Sequence, residues 1–439
     1  MCLNHEKQEY PSSNYTKPST YVDSLEVALN HLDLECDYEK ADAIVKEAID
    51  NISSELREIS LDLHANPETG MKEYHAHQVL TDYLEGKGFK VTRHAYGMDT
   101  AFTAEYSNGD GKRVGVCSEY DALPSIGQGC GHNLIAICGV AGAIGLKALL
   151  EKDVAKGRVV LFGTPAEEVF IGKIEMVNQK AFQNNVDICV MLHPSPVDAQ
   201  YVHMIASQDV VVEFFGKPSH ASGSPWEGVN ALDAMVQAYN NISMLRQQLL
   251  PTDRVHGIIT NGGAAPNIIP DHTSAWFYVR THKYGDIHRI KTKVEQCFEA
   301  AAKATGCQVK YKWTERGATR DVVQNSILAD TYAHYMKQTG VVFPDRTLQE
   351  SYPSGSTDMG NVSYSVPSIH PMFSIHSKEG VSTHSKEFAA QAKTEQAHQD
   401  SIRAAKAMTM AAAKVLLSDK FYQAVKLDFE TTVKEEERQ

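Results

Sequence analysis

Residues 117–134 read Cys117-Ser-Glu-Tyr-Asp-Ala-Leu-Pro-Ser-Ile-Gly-Gln-Gly-Cys-Gly-His-Asn-Leu134. Their pattern, a strand that ends in a loop with polar side chains, recurs along the chain. The apolar run from Arg113 to Cys117 predicts a strand, and a glycine-rich loop follows it. This loop presents Asp121, Cys130 and His132 ahead of an alanine- and glycine-rich helix. Because α/β proteins bind ligands at the carboxyl ends of their strands, a carboxylate, a thiol and an imidazole here predict half of a metal site.

The composition is that of a globular protein with more than one domain. The chain has 439 residues, of which 42% are hydrophobic and 22% are charged, enough for two or three domains with a large core. The formal net charge is −13 and there is no long basic run. Both features argue against binding to nucleic acid or to an anionic membrane surface.

The N-terminus and the cysteines favour a cytoplasmic location. Residues 1–20 are polar and lack the apolar core of a signal peptide, and we predict no stretch of membrane-spanning length. The eight cysteines are scattered without the spacing of a disulfide framework. We therefore expect free thiols in a reducing compartment.

Most of the chain predicts a mainly parallel α/β sheet flanked by helices. Apolar periodicity predicts helices over 38–64, 74–87, 134–150, 326–340 and 394–417 with one more ending near 179, and strands over 89–94, 101–106, 113–117, 158–163, 186–192 and 366–375. The Asn-Gly-Asp-Gly run at 108–111 predicts a hairpin turn between the second and third strands. Alternation of strand, loop and helix is typical of a parallel sheet.

Residues 204–316 differ in character and predict an inserted second domain. Strands are predicted over 209–216, 255–260, 272–281 and 308–313, and helices over 229–249 and 287–305. This β-α-β-β-α-β order is the pattern of a small antiparallel, ferredoxin-like α+β sandwich. The predicted organisation is a disordered or loosely packed leader over 1–37, a main domain formed by 38–203 and 317–419, the insertion at 204–316, and a C-terminal tail over 420–439.

Four loops offer side chains that could bind a metal ion. They carry Cys130 and His132, the pair Glu167 and Glu168, His193, and His384. Each signal is weak alone, because a buried cysteine is usually a small hydrophobe, the chain has 19 histidines, and paired glutamates also suit a solvated first helical turn. Three of the loops follow strands of one predicted sheet, so their ends should converge. A mixed N, O and S donor set suits Zn²⁺, with Mn²⁺ or Co²⁺ as alternatives.

Such a donor set predicts hydrolysis of an amide bond. Cleaving an unactivated amide at neutral pH needs a strong nucleophile and a Lewis acid, and one or two divalent metal ions supply both. The Cys130 thiolate could bridge two ions. Of the paired glutamates, one should bind metal, while the other stays free to take a proton from water and deliver it to the leaving amine.

The motifs and their order resemble those of the M20 metallopeptidase family. The resemblance is carried by Asp121-Ala-Leu-Pro124, Gly129-Cys-Gly-His-Asn133, Pro165-Ala-Glu-Glu168, Met191-Leu-His-Pro194 and Gly216-Lys-Pro-Ser-His-Ala221. These segments fit the amidohydrolase branch, which uses a Cys-x-His ligand pair. Gly355-Ser-Thr-Asp-Met-Gly-Asn-Val-Ser363 is further similar to the p-aminobenzoyl-glutamate hydrolases. The resemblance extends from about Tyr38 to Leu417.

Carried over by position, the resemblance implies a role for each site residue. The implied metal ligands are Cys130, His132, Glu168, His193 and His384, the implied catalytic residues are Glu167 and His220, and the implied substrate-binding residues are Asn267, Arg280, Gly355 and Ser356. Glu167 becomes the general acid and base. The insertion becomes a lid that also forms a homodimer, so that His220 reaches the neighbouring subunit's site and polarises the scissile carbonyl. Arg280 binds the substrate carboxylate, which suits its planar fork of donors.

Two departures from the family pattern leave the number of metal ions, one or two per subunit, open. Many members begin the site with His-x-Asp, whereas the equivalent run here is Ser118-Glu-Tyr-Asp121, without histidine. We expect His132 to replace that ligand and Asp121 to orient a ligand from behind. Asn133 stands where many members of the branch have aspartate.

The last ligand has three candidates in one stretch, His370, His376 and His384. The run Ser382-Thr-His-Ser-Lys-Glu-Phe388 follows the family pattern of a histidine near Glu-Phe, which favours His384. His370 precedes a proline and could orient a ligand instead, and His376 is expected in a loop.

The expected activity is cleavage of a dipeptide or an N-acyl amino acid with a free carboxylate. The resemblance favours a basic C-terminal residue, as in β-alanyl-lysine, with p-aminobenzoyl-glutamate and N-acyl aromatic amino acids as alternatives. An acidic group in the side-chain pocket would favour lysine or ornithine, and a basic group would favour glutamate. A non-catalytic dimeric binding module is the hypothesis of another class, and Glu167 beside a full ligand set argues against it.

Overall fold

Residues 37–169, 171–351 and 355–438 are described by the computed structural model of the chain. The predicted leader therefore lies outside the described residues, apart from Asp37. The helices are α1 (Tyr38–Asp50), α2 (Ser53–Ala65), α3 (Tyr74–Gly86), α4 (His132–Glu151), α5 (Gly172–Asn178), α6 (Ala181–Asn185), α7 (Ala231–Leu245), α8 (Ile287–Thr305), α9 (Ser326–Lys337), α10 (Arg346–Ser351), α11 (Met359–Ser363), α12 (Lys386–Ala392), α13 (Glu395–Leu417) and α14 (Asp419–Thr432). The strands are β1 (Lys90–Arg93), β2 (Phe102–Ser107), β3 (Lys112–Glu119), β4 (Gly157–Thr164), β5 (Ile188–Val190), β6 (His193–Ser195), β7 (Ala206–Phe215), β8 (Arg254–Asn261), β9 (His272–Thr281), β10 (Gln308–Trp313), β11 (Ser368–Ile369) and β12 (Met372–Ser374).

The main sheet has six strands in the order β1-β2-β4-β3-β5-β11. Strands β4, β3, β5 and β11 are parallel, and β1 and β2 join them as an antiparallel edge. Helices α1, α2, α4 and α13 share one continuous hydrophobic core with these strands. The predicted fold class, a mainly parallel sheet flanked by helices with a separate antiparallel domain, is confirmed.

The predicted hairpin between β2 and β3 is wrong. Strand β4 lies between them, antiparallel to β2 and parallel to β3. The turn residue Asn108 explains the arrangement, because its side chain binds the segment that leads into β4 instead of a facing strand. Its amide donates to the carbonyls of Leu150 and Ala155, and its oxygen accepts the N–H of Gly157.

The single long helix predicted over 38–64 is two helices, α1 and α2, which break at Asn51 and Ile52. Neither residue is a strong helix breaker, so the sequence gives little warning of the break. The buried faces of both helices, including Ile44 on α1 and Leu56 on α2, pack into the main core. Two shorter segments let both faces follow the curved surface formed by α4 and its neighbours.

Helix α4, which follows the metal-binding loop, runs through the middle of the main domain. Gly139 lets it approach β3 closely, since a Cβ atom there would lie 2.8 Å from the carbonyl oxygen of Cys117. The sequence predicted no stretch of membrane-spanning length, yet α4 is long and apolar enough to pass that test by composition. It is 89% buried inside the fold, as a core helix is.

Two predicted strands are interrupted near the site. The strand predicted over 186–192 ends at Val190, and the next segment pairs as β6 with β12, outside the main sheet. The strand predicted over 366–375 divides into β11 and β12, with His370 between them. The backbone N–H of His193 donates to the carbonyl of Pro371, so the two interruptions lie side by side.

The second sheet lies wholly within the predicted insertion at 204–316. Its strands are antiparallel in the order β10-β7-β9-β8, and α7 and α8 cover one face. The core between sheet and helices contains Val210, Val212, Phe277 and Phe298, all fully buried. We call this part the lid sheet and its other face the open face.

The segment predicted as a C-terminal tail contains a packed helix. Residues Asp419–Thr432 form α14, and its side chains Phe421 and Val425 are buried in the main core. Ser418 caps the helix, since its hydroxyl accepts the N–H of Phe421.

Candidate metal centre and active site

The candidate metal donors lie where strands of the main sheet end. Strand β3 ends at Glu119, and the loop after it leads to Cys130 and to His132, the first residue of α4. Strand β4 ends just before Glu167 and Glu168. Since the carboxyl ends of parallel strands meet at one edge of a sheet, these loops converge, as a binding crevice in an α/β protein requires.

Gly131 makes the Cys130 and His132 loop possible. Its φ of +78° lies in the left-handed region, and a Cβ atom there would lie 2.7 Å from Cγ of Pro194. Glycine therefore lets the loop turn sharply into α4 and lie against the residue that follows His193. This close approach positions Cys130 and His132, the two donors on either side of Gly131.

The candidate donors form two groups that share one thiol. Atoms of Cys130, His132 and His193 lie within 4.8 Å of one another, and so do atoms of Cys130, Glu168 and His384. The Cys130 Sγ is 3.3 Å from Nε2 of His193. Oε1 of Glu168 is 3.2 Å from Nε2 of His384. All five residues implied as metal ligands thus meet in one place.

One buried atom in this cluster, Nε2 of His132, has no hydrogen-bond partner in the described part of the chain, and it lies 3.9 Å from Oε1 of Glu168. A buried polar atom left without a partner is costly, and a cation between the two atoms would satisfy it. The donor set of sulfur, nitrogen and oxygen atoms is the kind that holds Zn²⁺. The residues present therefore fit a divalent metal ion.

Asp121 makes the contacts that an orienting residue needs. Its Oδ1 accepts a hydrogen bond from Nδ1 of His132 at 3.0 Å, and its Oδ2 accepts the backbone N–H of Glu168 at 3.0 Å. Burial would raise the pKa of Asp121, but the His132 charge and hydrogen bond outweigh it and lower that pKa. With Nδ1 occupied, Nε2 of His132 is left facing the other donors.

Glu167 stands beside the donors and follows a residue with an uncommon backbone conformation. One of its carboxylate oxygens lies within 4.8 Å of donor atoms of His132 and Glu168. Burial, followed by the charges of Glu119 and Glu168, raises the pKa of Glu167 well above its ordinary value. The residue before it, Ala166, has a φ of +61°, and its N–H donates to the buried carboxylate of Glu73 at 2.9 Å.

The histidine donors differ in burial. Burial and the His132 charge lower the pKa of His193 to about 4, and its Nδ1–H donates to the carbonyl of Pro194 at 2.7 Å. Its Nε2 is therefore a neutral donor facing Cys130. His384 is exposed, with a φ of +64°, and its hydrogen bond with Glu168 raises its pKa.

The other two histidines of the last stretch belong to neither donor group. His376 pairs with Asp400 at 2.7 Å. His370 is fully buried with its ring 5.6 Å from that of His193, and neither of its ring nitrogens has a hydrogen-bond partner among the described residues. Burial lowers the pKa of His370 well below its ordinary value. It supports the His193 ring by contact.

Three fully buried charged residues beneath Glu167 were missed by sequence reasoning. Lys173 pairs with Glu119, and its Nζ is 2.7 Å from Oδ1 of Asp358. Oε2 of Glu119 is 3.5 Å from Nε2 of His132, so the ion cluster touches the metal donors. Glu119 could have been found from the sequence, because it comes two residues before Asp121 in the same motif. Lys173 lies on α5, and no motif marks it.

Of the predicted substrate-binding residues, Arg280 and Ser356 meet and Asn267 lies elsewhere. Nη1 of Arg280, on β9, donates to Oγ of Ser356 at 3.0 Å, which joins the lid sheet to the loop that begins at Gly355. Its Nε donates to Nε2 of His256 at 3.1 Å. Asn267 is exposed on the lid.

His220 lies beside Asn267 on the lid, away from the donor cluster. The two segments pair through a bridge between His220 and Ile268, and the N–H of Ala221 donates to the carbonyl of Asn267. Both His220 and Asn267 are exposed. Within the residues described, no contact connects either one to Cys130, Glu168 or the other candidate metal donors.

Comparison with known proteins adds to this geometry. The peptidase dimerisation domain family matches residues 207–306, which contain the two lid helices and all of the lid sheet except β10 and the first residue of β7. The chain is 41% identical over 403 residues to the Xaa-Arg dipeptidase of Mus musculus, covering 89% of this chain and 92% of that protein. The chain belongs to the M20 peptidase family. A dinuclear metal-binding M20 peptidase from Bacillus subtilis shares the fold at a TM-score of 0.60 and 19% identity, over 84% of this chain and 99% of that one.

The M20 assignment, together with the donor cluster, makes the chain a metal-dependent hydrolase of peptide or amide bonds. A further relative, a p-aminobenzoyl-glutamate hydrolase from Escherichia coli strain K12, is 27% identical over 85% of this chain and 91% of that protein. The chain is thus a metal-dependent dipeptidase or amidohydrolase. It requires a divalent metal ion, and its substrate is a small peptide-like molecule.

Proposed function

We propose that this M20 enzyme is a homodimeric dipeptidase that removes a basic C-terminal residue, such as arginine, lysine or ornithine, from a dipeptide. The observation that carries the proposal is the meeting of two donor groups at Cys130 beside Glu167, with Arg280 held at the glycine-rich loop. The 41% identity to an Xaa-Arg dipeptidase supports the choice of a basic residue over glutamate.

Five residues would hold the metal: Cys130, His132, Glu168, His193 and His384. Because Cys130 belongs to both donor groups, these residues would hold one or two ions per subunit, and we propose Zn²⁺ as the ion with Mn²⁺ or Co²⁺ as alternatives. When bound, the metal supplies the Lewis acid and the activated water that amide hydrolysis needs. The protein supplies position, proton transfer and substrate binding.

Glu167 performs the proton transfer. Its carboxylate takes a proton from the attacking water and delivers it to the amine nitrogen as the peptide bond breaks. The raised pKa of Glu167, caused by burial and by the carboxylates of Glu119 and Glu168, makes it a stronger base than an exposed glutamate. Lys173, which lies beneath Glu167, keeps the carboxylate of Glu119 in place through their ion pair.

Arg280 fixes the substrate end that is not cleaved. Its guanidinium has neutral partners, Ser356 and His256, and no carboxylate contacts it in the described residues. A free α-carboxylate would complete its hydrogen bonds as a planar, bidentate partner. The enzyme would then select dipeptides and N-acyl amino acids over longer substrates blocked at this end.

His220 would act across the dimer. It lies exposed on the lid beside Asn267 and makes no contact with the donor cluster of its own chain, among the residues that the structure describes. In a homodimer formed through the lid, His220 of one subunit would donate to the carbonyl oxygen in the other subunit's site. Such a donor is worth ~3 kcal/mol of transition-state stabilisation.

The enzyme is further proposed to act in the cytoplasm. Cys117, Cys130, Cys138, Cys189, Cys297 and Cys307 are all unpaired. Free thiols at these six positions are consistent with a reducing compartment. Retention of activity and of titratable thiols after purification under reducing conditions, and loss of activity on thiol oxidation, would agree with this location.

The test begins with a dipeptide and N-acyl amino acid library assayed with Zn²⁺, Mn²⁺ and Co²⁺. We expect turnover of Xaa-Arg, Xaa-Lys and Xaa-ornithine dipeptides, and its loss when a chelator removes the metal. Preferential hydrolysis of p-aminobenzoyl-glutamate would overturn the proposed specificity. Absence of turnover for every substrate, with metal bound, would favour a binding module.

Glu167→Gln tests the assigned chemistry. The amide keeps the size of the side chain but cannot take a proton, so we expect kcat to fall by about 10²–10⁴-fold while the metal content stays that of the wild type. Glu175→Gln, on α5, is the control and should keep wild-type kcat. Full turnover in a Glu167→Gln enzyme that retains its metal would contradict the mechanism.

A further inference from the structure

The open face of the lid sheet presents a row of side chains that begins at Arg280. Alternate residues of β9 point to this face, which places Trp276, Tyr278 and Arg280 in line, and Asp209 on β7 pairs in register with Tyr278. The residues between them, such as Phe277, are buried against the helices on the other face. The row is therefore set by the two-residue period of the strands.

The members of this row are in contact from end to end. The guanidinium of Arg280 lies 5.5 Å from the centre of the Tyr278 ring, and the Tyr278 and Trp276 rings are 5.4 Å apart. Nε1 of Trp276 donates to Oδ2 of Asp209 at 2.8 Å. Along this chain of contacts, two aromatic rings lie between the guanidinium of Arg280 and the carboxylate of Asp209, which stands on β7 opposite Tyr278.

Both charges at the ends of this chain of contacts lack a partner of opposite sign in the described chain. The side chain of Asp209 accepts hydrogen bonds only from the neutral donors Trp276 Nε1 and Thr314 Oγ1, and no lysine, arginine or histidine of the described chain is within ion-pair distance of it. Two bonds leave lone pairs of the carboxylate unused. Arg280 likewise contacts only Ser356, His256 and the Tyr278 ring.

Neighbouring charges on the open face do not compensate Asp209. Lys312 lies opposite Val211 on the adjacent strand and is paired with Glu315 at 2.7 Å. Glu213, two positions further along the face, is paired with His272 at 2.9 Å. Among the carboxylates of this face, Asp209 is thus the one without a cationic partner in the described chain, so its charge can pair with a cation of a bound ligand.

We propose that Asp209 binds the cationic end of the substrate's C-terminal side chain and so determines the preference for a basic residue. This inference rests on the proposed function, in which Arg280 holds the α-carboxylate. A C-terminal arginine or lysine has a carboxylate at one end and a cation at the other, which matches the charges of Arg280 and Asp209. Its aliphatic stem lies over Tyr278 and Trp276, whose ring faces also attract a cation.

The same arrangement rejects an acidic C-terminal residue. A glutamate side chain over the Tyr278 and Trp276 rings would bring its carboxylate toward Asp209, and like charges across a binding site are unfavourable. A neutral side chain would gain the aromatic contact and no ion pair. The order of preference is therefore basic, then neutral, then acidic.

The test compares Ala-Arg with Ala-citrulline, which has nearly the same shape as Ala-Arg and no charge. In the wild type we expect a higher kcat/KM for Ala-Arg. Asp209→Asn keeps an acceptor oxygen for Trp276, and its amide N–H can donate to the Thr314 hydroxyl, but it removes the charge. The ratio of kcat/KM between the two substrates should therefore fall by about 10–100-fold. Asp209→Glu keeps the charge and should retain most of the preference.

Glu213→Gln is the matched control, since it removes a carboxylate from the same strand and the same face. Its substrate ratio should equal that of the wild type. Circular dichroism and thermal melting establish that the Asp209 variants are folded, and Asp209→Lys gives a second readout, in which Ala-Glu gains relative to Ala-Arg.

The outcomes separate this inference from the proposed function. If the wild type prefers Ala-Arg and Asp209→Asn keeps the full preference, the assignment of Asp209 is overturned while the basic specificity stands. If the wild type does not prefer Ala-Arg to Ala-citrulline, the proposed specificity itself fails. Loss of the preference in Asp209→Asn together with its retention in Asp209→Glu and Glu213→Gln supports the inference.

Discussion

At the scale of single residues, buried carboxylates organise the site. Asp121 holds the ring of His132 and the backbone of Glu168 with its two oxygens, so one side chain places two candidate donors. Glu73 does the same for the loop that carries Glu167, through the N–H of Ala166. Both residues are almost fully buried, so their hydrogen bonds are protected from water.

Glu73 gives a prediction about pH and stability. Burial raises the pKa of Glu73 to about 7, above its ordinary value of 4.5. The folded state therefore holds the proton more tightly than the unfolded state, and the stability gained below pH 4.5 is lost as the pH rises to 7, up to about 3 kcal/mol. Glu73→Gln removes this loss and keeps an acceptor for Ala166.

Thermal melting between pH 4.5 and 8 checks this prediction. The melting temperature of Glu73→Gln relative to that of the wild type should rise from pH 4.5 to 7 and stay constant above pH 7. Glu39→Gln, at an exposed position on α1, is the control and should follow the wild type. A difference that does not change with pH would show that Glu73 is ionised at all these pH values.

Sequence reasoning found the residues whose side chains are typical of metal binding and proton transfer. The motifs around Cys130, Glu167 and His193 pointed to donors that the structure brings within a few ångström of one another. Lys173 was missed because a lysine on a short helix is ordinarily solvated, and only the tertiary structure surrounds it with Glu119 and Asp358.

At the scale of elements, the junction between the metal-binding loop and α4 is under tight steric control. Gly131 has a φ of +78°, and the space where its Cβ would be is taken by Pro194. The same loop is tied to the far end of the chain, because the carbonyl of Gly129 accepts the N–H of His384 at 2.8 Å. The metal-binding loop, α4 and the segment that carries His384 thus all depend on this turn.

Gly131→Ala should destabilise the protein and weaken metal binding. The left-handed backbone and the contact with Pro194 together should cost about 1–3 kcal/mol, and any relaxation moves Cys130 and His132. Thermal melting and metal content measure the two effects. The control is Gly86→Ala at the end of α3, where a Cβ meets nothing within 4 Å; it should be neutral or slightly stabilising.

Equal melting temperatures and metal contents for Gly131→Ala and Gly86→Ala would contradict the steric argument. A Gly131→Ala protein with wild-type stability and reduced metal content would show instead that the loop changes its conformation while α4 keeps its packing.

At the scale of the whole molecule, the site requires both the main domain and the lid. Arg280 on β9 meets Ser356 on the glycine-rich loop, which brings together groups from the two parts that we propose to bind substrate. His220 and Asn267 lie on the lid without contact to the donor cluster of the same chain, within the described residues. One chain by itself therefore presents an incomplete set of the implied catalytic groups.

Mixed dimers test whether His220 acts across subunits. Co-expressed His220→Ala and Glu167→Gln chains form three kinds of dimer, and in the mixed one a single site has both intact groups. With random assembly, activity should return to about a quarter of the wild-type level, whereas each variant alone is nearly inactive. Recovery that does not exceed the sum of the separate variants would place His220 in its own subunit's site.

Strand order in the main sheet shows where local sequence signals stop being sufficient. The Asn-Gly turn at 108–111 is a strong hairpin signal, yet β2 and β3 are separated by β4. The order β-α-β-β-α-β in the lid was predicted correctly because the order of elements along the chain follows from the periodicity of each element by itself. Pairing between strands distant in sequence depends on contacts that a local pattern does not contain.

The sequence by itself determined the class of the fold, the lid insertion and the residue types of the metal cluster, because periodicity and ligand chemistry are local properties. The tertiary structure alone decided that β4 lies between β2 and β3, that α1 and α2 are separate, and that Lys173 is buried beside Glu119. It alone set Asp209 and Arg280 at the two ends of a chain of aromatic contacts. These features depend on which distant residues share a surface, and that is settled only when the whole chain buries its apolar faces together.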